Sequence, residues 1–272
     1  MSAETIAKAP IGNIPRESLL IARRTMTNLL RRPDIVTFIF VQPIIFLLLF
    51  IYVLGGAIDI PGLDYTNFAM PGIILSTLIF DAPATAIGLN EDLSKGVLDR
   101  FRSLPIHRAS VVVGRMLYDA ARALMITTII VGVGYAIGFR YTGGFANALL
   151  AIFLSWLFAV AVAWGSAIIG LVVPSPEAVQ AAVFTGIFPL VFVSSIYVTV
   201  GSMPGWLQPI AKYNPITIVS DAARELSLGD QMEVAIQQGL GGDGNPWAAA
   251  GWSLVLIAVF VFLAVRQYQK LP

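Results

Sequence analysis

The chain has 272 residues, 57% of them hydrophobic, and a formal net charge of +1. Charged residues make up 12%, half of the roughly 25% found in soluble domains. That is too few to cover a globular surface, so the chain reads as an all-α integral membrane protein. There is no cysteine and one histidine, His107, which excludes disulfides, thiolate nucleophiles and histidine-rich metal clusters. No charged face points to nucleic acid.

Residues 1–34 form an N-terminal segment without the apolar core of a cleaved signal peptide. Its stretch PRESLLIARRTMTNLLRRP interleaves Leu19, Leu20, Met26, Leu29 and Leu30 with Arg16, Arg23, Arg24, Arg31 and Arg32. This pattern predicts an amphipathic helix lying in the membrane interface; a disordered basic arm is the plainer alternative. Either would anchor to anionic lipid. Pro33 then separates the segment from the first long apolar run.

A membrane span needs about 20 mostly apolar residues. Residues 35–272 contain six such runs: Ile35–Leu54, Phe68–Leu89, Leu117–Phe139, Phe145–Val172, Val179–Val200 and Trp247–Val265. Lysine and arginine are concentrated before the first run, between the second and third, and after the sixth. Arg140, Lys212 and Arg224 fall on the other side. The positive-inside rule therefore places both termini in the cytoplasm.

Two polar stretches interrupt this pattern. Between runs two and three, EDLSKGVLDRFRSLPIHR gathers Glu91, Asp92, Asp99, Lys95, Arg100, Arg102, Arg108 and His107. Val97, Leu98, Phe101 and Leu104 give it an apolar face as well. Between runs five and six, residues 203–228 predict two short re-entrant or surface helices in the outer leaflet. Trp206, Leu207, Ile210 and Tyr213 lie at helical spacing, and Asn214-Pro215 forms a break. Ile216, Val219, Ala223 and Leu226 then share one face of a second helix, with Asp221, Arg224 and Glu225 on another. Trp206 and Tyr213 suit the headgroup level.

Catalytic chemistry is nearly absent. No Gly-Lys pair exists to build a P-loop, and there is no G-x-S-x-G elbow. Within the spans, Asp81 stands in run two and Asp119 and Arg122 share a helical face near the start of run three. Asp81 and Arg122 could pair, either as a structural tie or as a switch whose pairing changes during function. Two aromatic stripes stand beside prolines: Phe38, Gln42 and Phe46 near Pro43, and Phe184, Phe188 and Phe192 near Pro189. With Phe80 and Asp81 they are the candidate walls of an apolar path for substrate. No metal ligand set is expected.

Two motifs carry a resemblance. Glu91, Gly96, Leu98, Arg100 and Pro105 resemble the coupling-helix signature of the type-2 ABC exporter permeases. The stretch PGWLQPIAKYNPIT, with Trp206, Asn214 and Pro215, is similar to the outer motif of that family. The chain looks most like its daunorubicin-exporter-like members, a group that includes mycobacterial lipid exporters. The long glycine-rich tail after Gly229 departs from the family's pattern. The resemblance implies a coupling helix at residues 90–106, gripping an ATPase through Glu91, Gly96, Leu98, Arg100, Phe101, Arg102 and Pro105. It implies two copies of a separate ABC ATPase subunit, which would carry ATP and Mg. It also implies a second permease subunit, identical or sister, a plasma-membrane location and no cofactor on this chain.

The expected function is a permease that exports an amphipathic drug or lipid. A polysaccharide or glycolipid exporter of the same architecture is the alternative, although the runs are poor in Asn, Gln and Tyr. A lipid-modifying membrane enzyme would have only Asp81, Asp119 and Arg122 to work with. A non-transporting scaffold would bind no ATPase.

Overall fold

The structure is a computed structural model and describes residues 14–56, 63–94, 108–232 and 244–270. The described residues are helical with short connections and no strand. In chain order the helices are α1 (Ile14–Leu30), α2 (Pro33–Leu49), α3 (Tyr65–Phe80), α4 (Ala82–Ser94) and α5 (Arg108–Ala136). They continue as α6 (Phe145–Val172), α7 (Pro176–Phe192), α8 (Gln208–Tyr213), α9 (Pro215–Leu228) and α10 (Pro246–Lys270).

Among the described residues five segments are long and apolar enough to cross a membrane: Pro33–Val53, Tyr65–Ser94, Ser110–Ala136, Phe145–Val172 and Pro246–Tyr268. The fifth apolar run of the sequence is shorter than its hydropathy suggests. It forms α7, of 17 residues, which reaches roughly 25 Å at 1.5 Å per residue. Its expected continuation to Val200 is instead an irregular segment, Val193–Thr199. The Asn214 side chain caps α7 there, donating from Nδ2 to the carbonyls of Leu190 and Val193, both at 2.7 Å. Carbonyls left over at a helix end need such partners.

The second apolar run bends. α3 ends at Phe80 and α4 starts at Ala82, with Asp81 between them. Pro83 has no N–H to continue the helical ladder and its ring crowds the preceding turn. Asp81, at this junction, lines the space beside α2 and α7, and its carboxylate accepts from Arg122 of α5. α2 also carries an internal proline, Pro43, and runs on into a wide π-type turn, Phe50–Leu54.

α3 is the central helix, buried along most of its length. α6 packs against α10, α4 and α9, while α1 lies along α5. Close contacts use small residues: a Cβ at Gly170 of α6 would run into the Ala86 carbonyl of α4, and one at Gly114 of α5 would run into Ser18 and Ile21 of α1. Helices inside a bilayer gain most from such close approach, since lipid tails are as apolar as leucine. α2 and α10 are peripheral: Phe38 on α2, Tyr52 and Val53 on the turn that follows it, and Leu254, Val255 and Phe262 on α10 are exposed.

The helix expected near the N-terminus is present as α1. Its buried Ser18 and Ala22 face α5, and Leu19, Leu20 and Leu30 are exposed. α5 begins nine residues earlier than the apolar run Leu117–Phe139 predicts, because its charged first turns are neutralised by neighbours instead of by water. Of the coupling stretch expected at 90–106, the first residues end α4. Gly96, Leu98, Arg100, Phe101, Arg102 and Pro105 lie outside the described residues, as does much of the glycine-rich tail after Gly229.

Candidate functional site: an aromatic cavity beside a buried charge network

A cavity of about 480 Å³ opens between α2, the α3–α4 bend and α7. Phe38, Gln42, Phe46, Phe80, Asp81, Phe184, Phe188 and Phe192, eight residues from three separate apolar runs, all line it. Phe80 meets Phe184 and Phe188 with ring centroids 6.3 and 5.8 Å apart. Phe188 stacks on Phe192 at 4.7 Å. At the far end Tyr197 stacks on Phe50 at 4.2 Å, nearly parallel. Such ring pairs add about 0.5–1.5 kcal/mol each beyond area burial. Ser76, Thr77, Gln42 and Gln180 supply the few polar groups. An apolar chamber with sparse polar points is the usual form of a small-molecule site.

Asp81 links the cavity to a ladder of charges running along α4 and α5. Arg122 donates to Asp81 Oδ2 from Nε at 3.1 Å and from Nη2 at 2.8 Å. Arg122 Nη2 also stands 3.3 Å from Asp119 Oδ1. Arg115 Nε lies 3.5 Å from Asp119 Oδ2, and Arg115 Nη1 lies 3.5 Å from Asp92 Oδ2. The Tyr118 ring packs 5.5 Å from both guanidinium carbons. The pairing of Asp81 with Arg122 that antiparallel runs allow is therefore present. Arg115 extends it towards the Ser94 end of α4.

The ladder is incompletely bonded. Both Asp119 oxygens and Arg115 Nε are buried and have no hydrogen-bond partner among the described residues. An unsatisfied buried charged group costs more than the roughly 1–3 kcal/mol of a neutral one. A small cavity of about 20 Å³ touches Asp81, Thr85, Met116 and Asp119, which is space for a single water.

A second charge cluster differs in kind. Arg224 on α9 is the largest fully buried side chain of the molecule's described part. Its Nε donates to the Phe68 carbonyl at 2.8 Å, and Nη1 to Asp221 Oδ1 at 2.9 Å and Ser195 Oγ at 3.2 Å. Nη2 donates to the carbonyls of Ser195 and Ile196 at 2.5 and 2.6 Å. All five N–H groups of a guanidinium are thereby used. Its carbon sits 4.0 Å above the Phe68 ring. Burial pushes the Arg224 guanidinium below its ordinary pKa, and the Asp221 carboxylate opposes that shift. Gly72 gives room for this knot, since a Cβ there would meet the Ile196 carbonyl and the Arg224 guanidinium.

Residues 203–228 contain two helices, α8 and α9, and α9 does not lie on a surface. Nearly all of it is buried against α6, α3 and α10. Asp221 and Arg224, expected on a polar outer face, point into protein. Asn214 works in two directions: its Oδ1 accepts from Ile216 N at 2.9 Å to start α9, while its amide caps α7. Pro215 takes the first helical position, where its missing N–H costs nothing. Trp206 and Tyr213 are exposed. Asn90, just before Glu91, caps α6 in the same way as Asn214 caps α7, through Gly170 O at 3.0 Å and Val173 O at 2.7 Å. Sequence reasoning missed Asn90, Arg115 and the role of Arg224.

Residues 16–228 match the sequence profile of the ABC-2 type transporter family. The chain belongs to that family. It is 34% identical over 232 residues to the daunorubicin resistance ABC transporter permease protein DrrB1 of Streptomyces coeruleorubidus, covering 85% of this chain and 78% of that one. It is 32% identical over 225 residues to the probable doxorubicin resistance ABC transporter permease protein DrrC of Mycobacterium tuberculosis (strain H37Rv), covering 78% and 77%. The probable multidrug ABC transporter permease YbhR of Escherichia coli (strain K12) is 28% identical over 178 residues, covering 62% and 46%. The family segment stops at the end of α9 and so includes both charge clusters. The chain is accordingly an ABC transporter permease with several apolar helices of membrane-crossing length.

Proposed function

We propose that this permease exports an amphipathic drug or lipid across the plasma membrane, driven by ATP hydrolysed on separate subunits. The observation that carries the reading is the cavity of about 480 Å³ walled by α2, α3, α4 and α7. Its aromatic lining suits a lipophilic cargo better than a polysaccharide, which needs polar groups along a continuous path. Resistance to daunorubicin and doxorubicin in the names of two relatives agrees with a lipophilic drug-like cargo.

In this reading α7 makes the sixth crossing, with the Val193–Thr199 segment completing its length. Both termini face the cytoplasm and α1 rests in the inner interface with its arginines towards anionic headgroups. Two permease chains, identical or sister, pair in the membrane, and the exposed aliphatic residues Val41, Ile45 and Leu49 of α2, which stand outside the cavity lining, are available for that pairing. Two ATPase subunits with ATP and Mg dock at the segment following α4. Glu91, Gly96, Leu98, Arg100, Phe101, Arg102 and Pro105 form that contact.

Copurification of the full chain from its native host tests the reading. An ABC ATPase subunit retained with it, whose hydrolysis rate changes on Phe101→Ala or Arg100→Glu, is the expected result. A chain that retains no ATPase overturns it.

A further inference from the structure

We propose that the cavity receives the cationic head of an amphiphilic cargo at Asp81, and that Asp119 is the reserve acceptor to which Arg122 moves when the cargo takes its place. This rests on the reading of the cavity as the cargo path. Among the described lining residues Asp81 is the single charged side chain; none is Lys, Arg or His. Phe80 adjoins it in the chain, and Phe184 and Phe188 stand against Phe80. Aromatic faces attract cations, most strongly where water is excluded. An anionic head would meet the carboxylate with no lining cation to offset it. A neutral head would draw little from it.

The obstacle is that Asp81 already holds Arg122. Both of those hydrogen bonds fall on Oδ2, and the Asp81 side chain keeps 21% exposure. The second acceptor is already in position. Asp119 Oδ1 stands 3.3 Å from Arg122 Nη2, and its side chain is 4% exposed. Its carboxylate has no hydrogen bond among the described residues. Arg122 moving fully onto Asp119 would supply the missing bonds while the cargo cation replaces it at Asp81. Asp81 and Asp119 both face Arg122, at 2.8 and 3.3 Å. Arg122 is thus a counter-ion that yields its place and retains a partner throughout, which avoids leaving a buried charge unpaired.

The experiment measures equilibrium binding to the full chain in lipid nanodiscs. The probes are a pyrenyl-alkyl-trimethylammonium and the pyrenyl-alkanol of equal chain length. Wild-type protein is expected to bind the ammonium roughly tenfold more tightly than the alkanol. Asp81→Asn should erase that margin. Asp119→Asn should shrink it, and Asp81→Glu, which keeps the carboxylate, should retain most of it. Thr77→Trp, which fills the cavity, should weaken both probes. Equal affinities in wild type, or a margin that survives Asp81→Asn, overturn the proposal; if Thr77→Trp still weakens both probes, the cargo-path reading stands. Binding of neither probe, or binding of both untouched by Thr77→Trp, overturns the two together. Should Asp81→Asn not fold, the wild-type margin and the Asp119→Asn result decide.

Discussion

Two arginines lie buried among the described residues, and they are buried differently. Arg224 spends all five N–H groups on four partner residues at 2.5–3.2 Å. Arg122 bonds one oxygen of one carboxylate while a second carboxylate waits 3.3 Å away with none of its hydrogen bonds made. A saturated guanidinium has nowhere better to go, so Arg224 acts as a fixed knot joining α3, α9 and the segment after α7. An unsaturated network keeps a second acceptor within reach, and a ligand can bias which acceptor is used. The knot also explains the shape of the cavity. Phe192 and Tyr197 border one end of it, and both flank the Ser195–Ile196 carbonyls that Arg224 grips.

The largest effect is expected from breaking the knot. Arg224→Leu removes the cation and leaves Asp221 buried beside carbonyls, a loss of about 3–5 kcal/mol. Thermal unfolding of the detergent-purified chain should show it, and expression should fall. Arg224→Lys should rescue little, because a point-like ammonium cannot serve acceptors spread around a planar fork. Next in size is the double substitution Asp81→Asn with Asp119→Asn, which strips Arg122 of both partners. Each single change leaves Arg122 one carboxylate. The double loss should therefore exceed the sum of the singles by about 1–3 kcal/mol. Strict additivity would mean that Arg122 does not exchange between the two. Asn214→Ala should follow at about 1–3 kcal/mol, since it exposes two α7 carbonyls and removes the α9 cap together. An unfolding midpoint equal to wild type would show that α7 does not depend on that amide.

The two regions were unequally legible in the sequence. The cavity was readable because aromatic residues four apart on a helix share a face, whatever surrounds the helix; Phe38/Phe46 and Phe184/Phe188/Phe192 follow from spacing alone. The Asp81–Arg122 pair followed from antiparallel neighbours at similar depth. Arg224 did not follow. Its spacing from Asp221 and Glu225 reads as the wet face of an amphipathic helix, and periodicity cannot distinguish water from a ring of carbonyls. Those carbonyls come from Phe68, Ser195 and Ile196, positions whose convergence is purely tertiary. The length of α7 was misjudged for a related reason. Val193–Val200 is apolar enough to extend a helix, but a side chain from Asn214 ends it.

The smallest expected effect sharpens the contrast most. A Cβ at Gly88 of α4 would collide with the Arg115 guanidinium. At a comparably close site in the knot, Gly72, the obstacle includes the Ile196 backbone carbonyl, which cannot shift without pulling the segment after α7. Arg115 is a flexible side chain whose contacts are all loose: 3.5 Å to Asp92, 3.5 Å to Asp119 and 3.4 Å to the Ala84 carbonyl. Displacing it forfeits little. Replacing glycine by alanine inside a helix meanwhile returns about 1 kcal/mol of backbone entropy. Gly88→Ala should therefore leave the unfolding midpoint within about 0.5 kcal/mol of wild type, whereas Gly72→Ala should cost about 1–3 kcal/mol by overpacking. A Gly88→Ala penalty as large as that of Gly72→Ala would show that Arg115 is pinned as firmly as Arg224. The α4–α5 ladder would then be a second knot and not a set of exchangeable pairs.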